Sequence, residues 1–207
     1  MKEDSLYSKH PSFILGFHGC DKSTVEKVIN GIESLTPSMN EYDWLGHGVY
    51  FWENNIERAW KFAGEVKNRG GKIQEPAVIG AVIDLGYCMD LIDSQYLEEL
   101  EDTYKIFKTS MTLQGYGSQL PTNKKTKAGE TLIRNLDCAV IEFSHYLNRE
   151  TNKQPYDSVR GVFWEGGELY PGAGFSRKNH IQICVRNPNC IKGYFLPRKK
   201  ANKNFEL

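Results

Sequence analysis

Three short segments carry the residue types from which a binding or catalytic site can be built. His18 lies in GFHGC, Tyr50 lies in WLGHGVYFW, and Gln182 lies in QICVRNPNCIKGYF. An imidazole can hydrogen-bond a hydroxyl in one fixed tautomer, and a phenol ring offers a flat face for stacking. Residues 44–52 combine four aromatic side chains with two glycines, which suggests a pocket rather than a plain core strand.

Each segment is a weak signal when taken alone. A single histidine at the end of a strand is more often structural, and GHGVYF lacks the Lys-Ser/Thr that follows the glycines of a P-loop. Order and spacing add information, because a predicted helix and a loop separate His18 from Tyr50 and a second helix follows Tyr50. The segments are therefore interpreted together.

Apolar runs and capping residues predict alternating strands and helices. Strands are predicted over FILGF (13–17), GVYFW (48–52), AVIGAVIDL (77–85), SVRGVFW (158–164), NHIQICVRNP (179–188) and CIKGYFL (190–196). Helices are predicted over DKSTVEKVINGI (21–32), NNIERAWKFAGEV (54–66) and ETLIRNLDCAVIEFSHYL (130–147), and 93–108 is a polar amphipathic segment. Loops are predicted over 33–46, 113–130 and 165–178. We expect one α+β domain over 1–207, with an insertion at 86–156 and a basic tail at 197–207.

The composition limits the class of protein. Lys+Arg and Asp+Glu each number 26, so the net charge of zero argues against a global field that attracts nucleic acid or membranes. The five cysteines include no CxxC pair, which indicates a reducing compartment and no zinc site. The N-terminus has no apolar signal core, and no apolar run approaches membrane-spanning length, so we expect a soluble cytoplasmic protein with no membrane contact.

In this order and spacing, FHG, GHGVYFWENNIERAW and QICVRNPNCIKGYF resemble the ADP-ribosyltransferase superfamily, on its poly(ADP-ribose) polymerase-like or diphtheria-toxin-like (His-Tyr-Glu) branch. That family has a His-Gly on its first core strand, a GxGxYF segment followed by a helix, and a late strand that opens with Glu. The resemblance spans about residues 13–196, and 86–156 match nothing recognisable. It implies a split mixed or antiparallel β-sheet with flanking helices, and NAD+ as a substrate without a metal.

The resemblance also implies roles for individual residues. His18 would hydrogen-bond a hydroxyl of the adenosine ribose, and the backbone of Gly19 would hold the nicotinamide carboxamide. Tyr50 would stack on the nicotinamide ring, while Trp60 would close its other face. Cleavage of the nicotinamide–ribose bond passes through an oxocarbenium-like state, so these contacts would orient a flat, cationic leaving group.

Two further features fit the same interpretation. Gly46 and Gly48 would allow the turn that presents Tyr50. Arg160, in SVRGVFW, either meets a phosphate of NAD+ or forms a structural salt bridge, and the sequence leaves both open.

The third segment departs from the family, because Gln182 stands where a Glu is expected. Glutamine keeps a hydrogen-bond acceptor but loses the negative charge that would face the developing cation. Three interpretations remain open: transfer of a single ADP-ribose without chain elongation, a catalytic share taken by Glu165 or Glu168, or binding without turnover. For both glutamates, plain surface charge is the competing interpretation.

The loop 165–178 precedes the Gln182 strand, and in the family the loop at this place recognises the acceptor. The candidate acceptor-binding residues are Tyr170, Phe175, Arg177, Lys178 and His180. His180 lies two residues before Gln182, where some members carry a target-selecting Gln or Glu. The competing interpretation is an exposed histidine at a strand edge.

These observations favour a mono-ADP-ribosyltransferase that modifies a macromolecule, either protein or nucleic acid. The small size suggests a bacterial toxin or phage-defence effector, paired with a cognate antitoxin or another regulatory protein. Basic residues at 123–127 and 198–203 allow a nucleic-acid acceptor, whereas the zero net charge argues against strong nonspecific binding. The alternatives are an NAD+ glycohydrolase and a non-catalytic module that binds NAD+ or ADP-ribose.

Overall fold

The structure is a computed structural model that describes residues 13–126 and 129–198. Its strands are β1 (Ile14–Asp21), β2 (Val49–Glu53), β3 (Pro76–Ile83), β4 (Cys88–Asp90), β5 (Asn123–Lys125), β6 (Thr131–Arg134), β7 (Ser158–Phe163), β8 (His180–Val185) and β9 (Ile191–Phe195). Its helices are α1 (Lys22–Ile29), α2 (Ile56–Asn68), α3 (Ser94–Leu113) and α4 (Asn135–Glu150).

Most strands form a single mixed sheet in the order β4-β7-β8-β2-β1-β3-β9. β4 and β7 pair in parallel, and the other neighbours in this sheet pair antiparallel. β5 and β6 form a separate hairpin. The predicted α+β class is therefore confirmed, and the strands bearing His18, Tyr50 and Gln182 are central neighbours.

Helices cover both faces of the sheet. On one face, here called the α1 face, Val25 and Val28 of α1 join a core with Phe51 and Ile79. On the opposite face, the α2 face, α2 packs on β1–β3 around Trp52 and Ala59, while α3 and α4 pack on β4, β7 and β8 around Ile141 and Val159. Trp52 of β2 packs with α2 and Cys184 of β8 packs with α3 and α4, so β2 and β8 lie where the two groups of helices adjoin on the α2 face.

Two predicted boundaries differ from the structure. The helix predicted from residue 130 begins at Asn135, because residues 131–134 form β6 instead. The Asn123 side-chain oxygen accepts hydrogen bonds from the backbone N–H groups of Leu136 and Asp137 at 2.9 and 3.3 Å, so a residue in β5 caps the start of α4. The predicted loop 113–130 likewise contains β5. The tail from residue 199 lies outside the described residues.

Two further observations concern membrane spans and the cysteines. Within 13–126 and 129–198, no helix is both long and apolar enough to cross a bilayer. All five cysteines are buried and unpaired. Burial raises the pKa of each of their thiols, that of Cys20 to about 11, which keeps them protonated at neutral pH.

A buried ion-pair cluster joins β2, β4 and β7. Arg160 donates to Glu53 at 2.6 Å and to Asp90 at 3.0 Å, and all three side chains are less than 15% exposed. Arg160 pairs across the sheet with Ile183, whose side chain belongs to the α1-face core, so its guanidinium lies on the opposite face from Trp52. The structure therefore favours the structural salt bridge over the phosphate contact for Arg160.

We expect Arg160→Met to lower the free energy of unfolding by about 3 kcal/mol, because two buried carboxylates would lose the guanidinium that pairs with both of them. Urea denaturation measures the loss. The exposed loop substitution Arg177→Met is the matched control and should change stability by less than about 0.5 kcal/mol. Adding Glu53→Gln and Asp90→Asn to Arg160→Met should restore part of the stability. Equal stability of the two arginine variants would contradict a structural role.

Candidate functional site

The three segments that are distant in sequence lie on adjacent strands, in the spatial order β8-β2-β1. Trp52 pairs with Gln182 on one side and with Phe17 on the other. Side chains alternate along a strand, so Tyr50, Trp52 and Gln182 share the α2 face. His18 contacts the ring of Phe51, whose side chain lies in the α1-face core, with ring centroids 5.8 Å apart.

His18 lies where β1 and β2 separate. The pairing between the two strands ends at Phe17 and Trp52, whereas β1 continues along β3 as far as Asp21. His18 Nδ1 is 2.7 Å from the carbonyl oxygen of Tyr50, and a carbonyl only accepts, so Nδ1 carries the hydrogen. Burial lowers the pKa of His18 despite this hydrogen bond. The ring is therefore a neutral imidazole in a single tautomer, with its Nε2 lone pair available.

Tyr50 holds the turn that precedes its own strand. Its hydroxyl donates to the carbonyl of Gly46 at 2.8 Å and accepts from the N–H of Leu45 at 3.0 Å. Gly46 has a φ of 77°, a left-handed conformation that glycine adopts without strain. Burial raises the pKa of Tyr50 well above its usual value, so the phenol stays neutral. The predicted turn exists, and the Tyr50 ring is partly buried against the α3–α4 core.

Two glycines of the predicted cofactor site lie against protein backbone. A β-carbon at Gly48 would come within 2.6 Å of the carbonyl oxygen of Val185 in β8. A β-carbon at Gly19 would come within 2.3 Å of the carbonyl oxygen of Ala59 in α2. These approaches explain both glycines without a ligand.

Gln182 is tied to the turn before β2. Its side-chain oxygen accepts a hydrogen bond of 2.6 Å from the indole N–H of Trp44. Trp44 in turn lies 5.0 Å from the ring of Phe163, and the Arg134 guanidinium lies 4.9 Å from the Trp44 ring and 4.7 Å from the Phe163 ring. The sequence offered no role for Trp44 beyond packing, whereas in the structure Trp44 connects the turn before β2 to strand β8.

Strand β8 opens with His180, which pairs with the last residue of β7. The local pattern began this strand at residue 179, whereas the resemblance opened it at Gln182. His180 is buried in a central strand, so it is not an exposed strand-edge histidine. It lies between Phe163 and Trp52, with ring centroids 5.5 and 6.2 Å away. Nδ1 lies 2.6 Å from the carbonyl of Lys178 and therefore carries the hydrogen, while Nε2 has no partner. Burial lowers the pKa of His180, so it is neutral at pH 7.

Arg58, in the first turn of α2, completes this region. Its guanidinium lies 5.7 Å from the Trp52 ring and forms an ion pair with Glu165, the first residue of the predicted acceptor loop. Arg58 is 7% exposed, and its Nε and Nη1 atoms have no hydrogen-bond partner. Glu165 is therefore not a surface charge, and it links α2 to the loop.

Unpartnered polar atoms concentrate here. Of the eight buried side-chain atoms without a partner among the described residues, five belong to Trp52, Arg58, Asn179 and His180. Buried polar groups normally have partners, and leaving one unsatisfied costs about 1–3 kcal/mol. We call Trp52, Arg58, Glu165 and His180, with the adjoining Gln182, the polar cluster, and we identify it as the candidate site. No grouping in 13–126 or 129–198 has three or more His, Cys, Asp or Glu side chains placed to hold a metal.

The remaining predicted residues lie outside this cluster. Glu168 accepts from the backbone N–H of Gly172 within its own loop, and Tyr170, Phe175 and Arg177 are exposed on the same loop. Lys178 forms a 2.8 Å ion pair with Glu65 of α2. Trp60 is 43% exposed on α2, so the α2 residue that contacts Trp52 of β2 is Arg58 rather than Trp60.

Sequence reasoning missed Trp52, Arg58 and Trp44. A signal existed for Trp52, because it follows Tyr50 by two residues and strand alternation places the two on one face. Arg58 carried no distinctive signal in an amphipathic helix that is rich in charge. Trp44 finds its partner 138 residues away, which no local pattern reveals.

Comparison with known proteins identifies no family and no fold relative. No family model matches the chain, and no solved structure matches it. The chain is 27% identical to an uncharacterized protein of Methanocaldococcus jannaschii, in an alignment that covers 85% of this chain and 83% of that protein. That similarity extends over most of both proteins but assigns no activity to this chain.

The bond between Trp44 and Gln182 leads to a stability prediction. Gln182→Met removes the acceptor of a buried indole N–H and should lower the free energy of unfolding by about 1–3 kcal/mol. Gln182→Glu keeps an acceptor at the same place and should lose less. Urea denaturation of both variants measures the difference. If the Met variant were the more stable of the two, the hydrogen bond would not hold the turn to β8.

Proposed function

We propose that the protein binds NAD+ at the polar cluster and transfers a single ADP-ribose to a macromolecular acceptor. The observation that carries the proposal is the adjacency of β1, β2 and β8, which bear the three segments that resemble ADP-ribosyltransferases. The β1–β2 pairing also ends beside His18, in keeping with the split sheet that the resemblance implies. The residue that opens the late strand, where the resemblance implies Glu, is His180.

The chemistry of the polar cluster supports this substrate. NAD+ combines a flat cationic ring, ribose hydroxyls and phosphates, and these groups match aromatic faces and hydrogen-bond donors. Trp52 and Arg58 supply donors without partners, and His180 supplies an acceptor. All three residues are less than a tenth exposed, so binding requires the Arg58–Glu165 pair to open and the 165–178 loop to move aside.

The proposed reaction breaks the bond between ribose C1′ and the nicotinamide nitrogen, and nicotinamide leaves with the bonding electrons. The acceptor nucleophile then bonds to C1′ and loses its proton. His180 is suited to take that proton, because its neutral ring presents the Nε2 lone pair. Glu165, once released from Arg58, would face the developing cation with a negative charge.

The exposed loop supports a macromolecular acceptor. Tyr170, Phe175 and Arg177 extend from the segment that leads into β8, beside the cluster. Aromatic and arginine side chains bind both protein surfaces and unpaired bases, so these residues fit a protein acceptor and a nucleic-acid acceptor equally. The labelling assay distinguishes the two. A toxin or defence effector controlled by an antitoxin fits such an activity.

A second candidate function is NAD+ or ADP-ribose binding without turnover. One observation favours this function: Glu165, the carboxylate of the polar cluster, forms an ion pair with Arg58. Without a free carboxylate, an oxocarbenium-like state would lack its usual electrostatic partner.

The decisive assay incubates the protein with NAD+ labelled on its adenosine portion, alone and with cell lysate or RNA. We expect label on a macromolecule, and we expect His180→Ala to lower the rate at least about 100-fold through loss of the base. Glu165→Gln should also lower the rate, whereas Glu168→Gln, an exposed carboxylate of the same loop, should leave it unchanged. Free labelled ADP-ribose without a labelled macromolecule would instead indicate a glycohydrolase.

Calorimetry separates the remaining outcomes. Binding of NAD+ that is lost in Arg58→Ala, without nicotinamide release under any condition, would support the binding module. Neither binding nor nicotinamide release by the wild type would refute both functions.

The pH dependence follows from His180. Because burial lowers its pKa below the ordinary 6.5, the base stays unprotonated at neutral pH and is lost only as pH falls through that lower value. We expect the transfer rate at saturating NAD+ to be level around pH 7 and to fall on the acid side below pH 6.5. A rate that rises on acidification through this range would exclude His180 as the base.

A further inference from the structure

A cavity of about 490 Å³ lies at the opposite end of β8 from the polar cluster. Its walls include His145 and Arg149 of α4, Asp157 before β7, and Arg186 after β8. Arg186, the residue after β8, is four residues from Gln182, which places the cavity about 13 Å along the chain from the cluster. A volume of this size is typical of small-molecule sites.

His145 is a buried residue of this wall whose ring nitrogens lack partners. Its side chain is fully buried, and neither ring nitrogen has a hydrogen-bond partner among the described residues. Burial lowers its pKa to about 3, so the ring is neutral at pH 7 and presents one N–H donor and one acceptor nitrogen. A group that both donates and accepts, such as a hydroxyl, satisfies a ring of this kind.

Most charged side chains around the cavity have hydrogen-bond or ion-pair partners, but one does not. Glu142 accepts from Arg186 and from the backbone N–H of His47, and Asp157 accepts from the side chain of Asn187 and the N–H of Tyr87. Both carboxylates and Arg186 are therefore occupied. The guanidinium of Arg149 is exposed and has no ion pair or hydrogen bond in the described ranges.

Glu142, His145 and Arg149 are spaced i, i+3 and i+7 along α4, so they share one face of the helix. This spacing brings the unpaired guanidinium and the unpartnered imidazole to the same wall. Guanidinium binds phosphate oxygens through two parallel hydrogen bonds.

We propose that this cavity is a second ligand site, separate from the polar cluster, for a small phosphorylated sugar or nucleotide. Arg149 holds the phosphate at the mouth. His145, whose two ring nitrogens are covered by protein in this structure, hydrogen-bonds a hydroxyl of the sugar once the cavity wall opens. The proposal does not depend on the function proposed for the polar cluster.

The test measures binding of ribose 5-phosphate to the whole protein by calorimetry, with inorganic phosphate and ribose as separate arms. We expect ribose 5-phosphate to bind, phosphate to bind more weakly, and ribose to give no signal. Arg149→Gln should weaken the binding of ribose 5-phosphate at least tenfold. Lys153→Gln, a nearby exposed cation outside the cavity wall, is the matched control and should bind like wild type.

Two further variants address the inside of the cavity and its independence. His145→Leu should weaken ribose 5-phosphate to the affinity of phosphate alone, with thermal stability equal to or above that of wild type. His180→Ala should leave the binding unchanged, since it alters only the polar cluster. No binding of ribose 5-phosphate to wild type, or equal binding by wild type and Arg149→Gln, would overturn the proposal. If His145→Leu does not fold, the Arg149 and Lys153 variants still decide the outcome, because both alter exposed side chains.

Discussion

The close approach of Gly48 to β8 is the constraint on which the rest of the site depends. With a β-carbon excluded at this position, the backbone immediately before β2 lies directly against Cys184 and Val185. A shift of one residue between β2 and β8 would move every side chain to the other face of the sheet. The contact therefore determines that Trp52 meets Gln182 and that both share a face with His180.

The hydrogen bonds around this contact fix orientation rather than adding much stability. Tyr50 closes the turn at Leu45 and Gly46, and Trp44 in the same turn reaches Gln182. Each such bond contributes only about 1 kcal/mol net, yet a broken one would leave a buried donor unsatisfied. Among the aromatic residues of WLGHGVYFW, Trp44 and Tyr50 thus hold the turn and Trp52 belongs to the polar cluster, while Phe51 packs in the α1-face core.

Local patterns in the sequence predicted elements whose ends are set locally, and failed where a distant residue sets the end. Asp21 caps α1 and Asn55 caps α2, so both helices were found close to their observed limits. For β8, the local pattern began at residue 179, close to the observed start at His180, whereas the resemblance placed the opening of the strand at Gln182. The start of α4 depends on Asn123, outside the helix, so the pattern placed that start too early. Likewise, the ion pair that joins Arg58 to Glu165 spans 107 residues and leaves no local trace.

A histidine at the opening of β8 changes which step of a transfer reaction the strand can assist. A carboxylate there would stabilise positive charge on the ribose, whereas a neutral imidazole can accept a proton but cannot balance that charge. In the proposed reaction, the balancing charge would then come from Glu165, whose charge is neutralised for as long as Arg58 holds it. Since that ion pair also closes the cluster, opening the site and freeing the carboxylate would be one event. In such an arrangement, an acceptor that displaces the 165–178 loop would itself switch on the charge that cleavage of NAD+ requires, which would restrict wasteful hydrolysis when no acceptor is bound.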